Sequence, residues 1–166
     1  MSAATPGEYR VVVEKDFLKF SAAHFIAYKG FREPLHGHNY QVSVRVEGGL
    51  GADGYVLDFG LVKRAVKRVC ERLDERVLLP ADSDCLRIDR SGSQVVVTYE
   101  DGATFSFPES DVVLLPIVHS SVEELAGYVL GELRAELPDL DRRGVRTLEV
   151  GVAEAPGQIA YCCEEL

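Results

Sequence analysis

The sequence predicts an α+β fold in which an antiparallel sheet carries two helices on one face. Three observations predict it. The element order along the chain is strand, strand, helix, hairpin, helix, strand, strand. Both helical segments carry a single apolar stripe, and the remaining segments either alternate with period two or are rich in β-branched and aromatic residues.

Residues 10–20 (RVVVEKDFLKF) form the first strand on β-branched and aromatic content. In 39–47 (NYQVSVRVE), Tyr40, Val42, Val44 and Val46 alternate with Gln41, Ser43, Arg45 and Glu47, the pattern of a half-buried strand. GGLGADG at 48–54 is the only glycine-rich stretch and reads as a loop. Asp58 can cap a helix whose apolar positions Val62, Ala65, Val66, Val69 and Leu73 make one stripe, running to about residue 75. QVVVTY (94–99) and ATFSF (103–107) read as a hairpin around Asp101-Gly102, with 86–89 adding a third short strand. Ser120 and Glu123 match a capping box for a second helix with Val122, Leu125, Ala126, Val129 and Leu133 on one face, ending before Pro138. Strands at 145–154 and 159–163 are split by Pro156-Gly157.

At 166 residues, with 46% hydrophobic and 27% charged, the chain fits one domain over 1–166 and can bury a core, which excludes intrinsic disorder. Eighteen Lys+Arg against 27 Asp+Glu give a net charge of −9, a field that repels phosphodiester backbones, so no nucleic-acid partner is expected. No apolar run approaches the roughly 18 residues of a spanning helix. MSAATPGEYR lacks the basic start of a signal peptide, so no membrane partner and a cytoplasmic location are expected. Cys70, Cys85, Cys162 and Cys163 carry no C-x-x-C spacing and read as reduced thiols.

The chemistry-bearing signal is the histidines. Only four exist, and three fall within fifteen residues as His24-x11-His36-Gly-His38. His36 and His38 share the parity of Tyr40 and Val42, so a strand extended back to them projects both imidazoles from one face. His24 closes the first strand and reaches the same point if the two strands pair. Three neutral imidazoles with an open fourth position suit a catalytic Zn²⁺, although imidazole also serves Cu, Ni and Fe. The bland alternative is a chance His-x-His pair on a surface strand.

FSAAHF (20–25) and LHGHNY (35–40) resemble the zinc-binding segments of the 6-pyruvoyltetrahydropterin synthase / 6-carboxytetrahydropterin synthase family. The resemblance continues through GYVLDF (54–59), Leu73-Asp74, SSVEELA (120–126) and VGVAE (150–154). It leaves out 86–115, which reads as an extra β-hairpin insertion. The resemblance implies the tunnelling fold, in which sheets of neighbouring subunits join into an oligomeric barrel, as a homo-trimer or homo-hexamer with active sites at subunit interfaces. It implies that His24, His36 and His38 hold the zinc and that Glu154 anchors the ring of a small-molecule pterin substrate, whose paired N–H donors a carboxylate can accept. Without the resemblance, Glu154 is an exposed strand-end carboxylate.

The family's base is normally a cysteine shortly before His-Gly-His, supported by an Asp-His pair at the end of the first helix. Here GFREPLH (30–36) has no cysteine and offers Glu33, and the pair is replaced by Asp74-Glu75. Glu33-Pro-Leu-His36 resembles the Glu-x-x-His variant of the branch that cleaves 7,8-dihydroneopterin triphosphate to 6-hydroxymethyl-7,8-dihydropterin. His119, the leftover imidazole, is either the missing acid/base partner, a place Glu75 also competes for, or a structural neighbour of the second helix. Lys29, Arg32 and Arg45 bring cationic charge near the metal segment for a triphosphate, none of them singled out. The implied activity is a zinc-dependent lyase on the dihydroneopterin triphosphate side chain. Elimination to 6-pyruvoyltetrahydropterin, conversion to 6-carboxytetrahydropterin, a non-catalytic pteridine-binding module and a trimeric scaffold with incidental histidines stay open beside it.

Overall fold

The computed structural model describes residues 7–166. In chain order the strands β1 (Tyr9–His24), β2 (Ala27–Tyr28), β3 (Phe31–Arg32) and β4 (His36–Gly48) precede helix α1 (Phe59–Leu73). Strands β5 (Arg76–Pro80), β6 (Leu86–Ser91), β7 (Gln94–Tyr99), β8 (Thr104–Pro108) and β9 (Val112–Leu115) lead to helix α2 (Val122–Glu136), and β10 (Val145–Ala155) and β11 (Gln158–Glu165) close the chain.

Six strands form one sheet in the order β11-β10-β4-β1-β5-β9. The expectation of an antiparallel sheet is corrected: β1, β4, β10 and β11 pair antiparallel, but β5 lies parallel to β1 and β9 parallel to β5, so the sheet is mixed. Parallel neighbours need a long crossover, which α1 and the 81–111 segment supply. Among the described residues the sheet is open, with β11 and β9 at its edges, and does not close into a barrel.

The inserted segment forms a separate three-stranded sheet, β6-β7-β8: the expected hairpin with its tight turn at Asp101-Gly102, and the expected third strand beside it, which runs on to Ser91. Gly102 takes a left-handed φ of 85°, which a side chain would resist. Val112–Leu115, counted with the insertion from sequence, belongs instead to the main sheet.

Asp58 caps α1 by accepting from the Gly60 amide at 2.8 Å. The expected stripe faces the sheet, and the helix stops at Leu73, because Asp74 is already extended and Glu75 enters the left-handed region at φ 56°. The cap of α2 is Ser121 and not Ser120: Ser121 Oγ accepts from the Glu124 amide at 3.3 Å. The Glu124 carboxylate reaches back to the amides of Val118 (2.7 Å) and His119 (3.0 Å), so the capping arrangement is shifted by one residue. Ser120 is fully buried and donates to the Phe25 carbonyl at 2.8 Å. Both helices pack on one face of the sheet over a core that includes Leu18, Phe20, Tyr40, Val44, Val66, Leu125 and Val150. A second core joins the inserted sheet (Val95, Val97, Tyr99) to Phe25, Ala27 and Leu79.

Candidate metal centre

The pairing of β1 with β4 sets His24 directly opposite His36 and Ala22 opposite His38. Residues opposite or two apart on one face are near neighbours, so three side chains remote in sequence become a cluster. Their ligand atoms lie within 4.8 Å of one another. Ring centroids are 4.6 Å apart for His24–His36, 5.2 Å for His24–His38 and 4.9 Å for His36–His38. Gly37 permits the close approach, since a Cβ there would stand 3.1 Å from the Ala22 carbonyl oxygen. Exposure grades across the cluster: His24 is buried, His38 half-buried and His36 exposed, so the site opens on one side.

The hydrogen bonds fix how the imidazoles present themselves. His24 Nδ1 lies 2.7 Å from the Ser120 carbonyl and His36 Nδ1 lies 2.9 Å from the Pro34 carbonyl. A carbonyl can only accept, so both Nδ1 atoms carry the proton and both Nε2 atoms offer a lone pair inward. His24 Nε2 is buried with no partner. A buried nitrogen acceptor left unsatisfied among two further imidazoles is what a metal site presents without its ion, so the residues fit the group. Burial holds the His24 pKa below that of an ordinary imidazole; the Ser120 carbonyl and Glu33 act in the opposite sense, while charge on His36 or His38 lowers it further.

Tyr40 forms the floor of the cluster. It is fully buried and stacks on Phe20 with ring centroids 4.8 Å apart; its centroid lies 5.8 Å from that of His24 and 5.5 Å from that of His38, with the rings steeply tilted, and its hydroxyl has no partner. Burial pushes that hydroxyl well above the usual tyrosine range, and the nearby charges of Glu154 and Glu33 add to the shift. The charges of both predicted carboxylates thus act on the same buried hydroxyl. Glu33 is half-buried; its Oε2 accepts from the Ile26 amide at 3.0 Å and its own amide donates to the Ile26 carbonyl at 2.9 Å, which leaves Oε1 free. Glu154 is half-buried at a β10–β11 register shift between Ala153 and Ala155.

The other candidates are placed differently. His119 is half-buried beside the site, with Nδ1 3.1 Å from the Ala27 carbonyl. Asp74 accepts from the Ser21 amide at 2.7 Å, and Glu75 donates its amide to the Ser21 carbonyl at 2.7 Å. The carboxylate of Asp74 pins the end of α1 to β1 and, after burial, helps push the Cys70 thiol up to about 12. Arg45 pairs with Glu149 at 3.1 Å, and Arg32 donates to the Glu33 carbonyl at 3.0 Å. From sequence, Tyr40 is only a strand residue and Ser120 only a helix cap. The motif spacing offers one signal for Tyr40, which continues the His36, His38 parity.

The arrangement can hold a metal on three imidazole nitrogens and leaves the site open on the side of His36. The model of the family described as 6-pyruvoyl tetrahydropterin synthase matches residues 13–165. A Methanocaldococcus jannaschii protein, provisionally assigned as 6-carboxy-5,6,7,8-tetrahydropterin synthase, is 32% identical over 142 residues, 85% of this chain and 86% of that protein. A Pyrococcus furiosus dihydroneopterin monophosphate aldolase is 42% identical over 59 residues, 36% of this chain and 50% of that protein. The crystal structure of Plasmodium vivax 6-pyruvoyl tetrahydropterin synthase superposes with a TM-score of 0.94 at 44% identity, covering 96% of this chain and 99% of that one. That enzyme has also been solved with a glutamate, described as a catalytic residue, replaced by alanine and by cysteine.

Proposed function

The chain belongs to the 6-pyruvoyl tetrahydropterin synthase family, and on that premise we propose that it is a zinc-dependent lyase cleaving the side chain of 7,8-dihydroneopterin triphosphate to 6-hydroxymethyl-7,8-dihydropterin. The observation that carries this reading is Glu33: a carboxylate with one oxygen fixed by the Ile26 amide and the other free, close enough for its charge to act on His24, in a 25–35 segment without cysteine. Its support outside the chain is the catalytic glutamate of the Plasmodium vivax enzyme and the aldolase activity named for the Pyrococcus furiosus relative.

His24, His36 and His38 would hold Zn²⁺, which when bound polarises a coordinated hydroxyl and lowers its pKa. Glu154 accepts the paired N–H donors of the pterin ring and sets the side chain over the histidines. Glu33 Oε1 takes the proton from the C2′ hydroxyl. The C2′–O bond becomes a carbonyl as the C1′–C2′ bond breaks, and its electron pair passes to C1′ and the conjugated C6=N5 of the ring. The proton then returns to C1′, leaving the hydroxymethyl product and a phosphorylated two-carbon aldehyde. Glu33 takes the base role ahead of Asp74, whose carboxylate joins the end of α1 to the Ser21 amide, and of His119, whose ring bonds the Ala27 carbonyl, because of the three only the Glu33 charge acts on both His24 and Tyr40.

Elimination to 6-pyruvoyltetrahydropterin is the second reading, favoured by the name of the Plasmodium vivax structure. Product mass after incubating zinc-loaded protein with 7,8-dihydroneopterin triphosphate separates the two. Glu33→Ala should retain zinc and lower turnover by roughly 10²- to 10⁴-fold, the range of a positioned acid/base group. Parent-level turnover in that variant would dismiss Glu33, and a pyruvoyl product alone from the parent would dismiss the cleavage.

A further inference from the structure

We infer that the inserted β6-β7-β8 sheet is a brace that positions Glu33, with Phe105 and Glu100 as its positioning residues; this rests on the assignment of Glu33 as the base. The segment between His24 and His36 carries Glu33 on two short strands, β2 and β3, that pair only with each other through Ala27–Arg32 and Tyr28–Phe31. A two-residue hairpin has no stability of its own, so something else must hold it.

The inserted sheet does so at successive points. Phe25 is buried and stacks on Phe105 with ring centroids 4.9 Å apart and planes 28° from parallel. Phe25 and Ala27 complete the core formed by Val95, Val97 and Tyr99, so the insertion buries its apolar face against the residues that directly follow a metal ligand. Glu100 accepts from the Gly30 amide at 2.7 Å and lies 3.0 Å from the Tyr99 hydroxyl, which also donates toward the Tyr28 carbonyl at 3.0 Å. The Arg32 guanidinium lies 5.4 Å from the Phe105 ring centroid, and its Nη1 donates to the Glu33 carbonyl at 3.0 Å.

Phe105 thus grips both ends of the segment, Phe25 at the start and Arg32 next to Glu33, while Glu100 holds its tip. The segment's other bonds run inward from Glu33 to Ile26 and outward to the loop before α2, where Ser120 and His119 meet the Phe25 and Ala27 carbonyls. The histidines rest mainly on other contacts, because β1–β4 pairing places His24 opposite His36 and His24 bonds Ser120 in front of α2; only His36 also meets this segment, at the Pro34 carbonyl. The insertion therefore controls the carboxylate separately from the metal ligands, and loosening it should displace the base and leave the zinc.

The test is a double-mutant cycle on the zinc-loaded full chain with 7,8-dihydroneopterin triphosphate. Phe105→Leu should lower kcat by roughly 10- to 100-fold, the cost of misplacing a reacting group by about an ångström, with zinc content retained and KM little changed. Phe105→Tyr keeps the ring and should restore kcat. Glu100→Ala, on an exposed residue outside the core, should act in the same direction and covers the case in which Phe105→Leu folds poorly. In a Glu33→Ala background each change should add no more than about twofold, since residues that act through one another are not additive. Full activity of both single variants, undiminished losses in the Glu33→Ala background, or loss of zinc in Glu100→Ala would each overturn the brace. A fully active Glu33→Ala single variant would instead remove the base assignment itself, and the brace with it.

Discussion

Tyr40→Phe should make the metal-free protein more stable. The side chain is fully buried, its ring stacks on Phe20 at 4.8 Å, and its hydroxyl has no hydrogen-bond partner. Phenylalanine keeps the ring and every ring contact and removes only the orphaned oxygen. A buried polar group without a partner carries a desolvation penalty of about 1–3 kcal/mol, part of which returns as a small void when the oxygen goes, so a net gain of about 1–2 kcal/mol is expected. For a chain of this length each kcal/mol moves the melting temperature by roughly 2–4 °C, so Tm should rise by roughly 2–8 °C. The assay is urea and thermal unfolding of parent and variant, both stripped with chelator and compared at equal protein concentration, because assembly and bound metal each shift apparent stability. A variant less stable than the parent by 1 kcal/mol or more, to order of magnitude the worth of one satisfied hydrogen bond, would refute the reasoning, because the hydroxyl would then have a partner.

Purified protein should carry about one Zn²⁺ per chain, and His36→Ala/His38→Ala should strip it with circular dichroism largely unchanged; full occupancy in the double variant would refute the three-histidine site. Glu154→Gln should weaken dihydropterin binding by about 1–3 kcal/mol, measured by calorimetry, because one acceptor oxygen becomes a donor facing ring N–H groups, and should leave zinc content alone. Unchanged affinity would remove Glu154 from the site. Light scattering should report a trimer or hexamer, since Tyr9, Tyr55 and Phe59 are 44%, 50% and 51% exposed along one apolar groove and both sheet edges are open in the single chain; a monodisperse single-chain species at micromolar concentration would contradict the assembly.

Period-two and helical patterning made much of this protein legible from the chain alone. The alternation from Tyr40 to Val46 fixed which side of β4 is buried, the stripe from Val62 to Leu73 fixed the face of α1, and the shared parity of His36 and His38 put two ligands on one face. These are local properties, set by backbone geometry within one element. The parallel strands β5 and β9 are not legible because RVLLP and VVLL are short apolar runs whose identity as strands depends on a neighbour to pair with. Ser120 was read as a cap because its hydroxyl suits one; the buried Phe25 carbonyl claimed that hydroxyl, and the cap moved to Ser121.

The metal cluster itself shows the division most sharply. The register of β1 against β4 shifts between Glu14 and Lys19; carried on from Val11↔Val46 without that shift, Glu33 would stand opposite His24 in place of His36. The sequence by itself determined which residues can ligate a metal and which way each one points along its own strand. Only the tertiary structure decided that the three meet, that Tyr40 lies beneath them and that an inserted sheet holds the loop carrying Glu33, because register and packing are contacts between segments and leave no periodicity within either one.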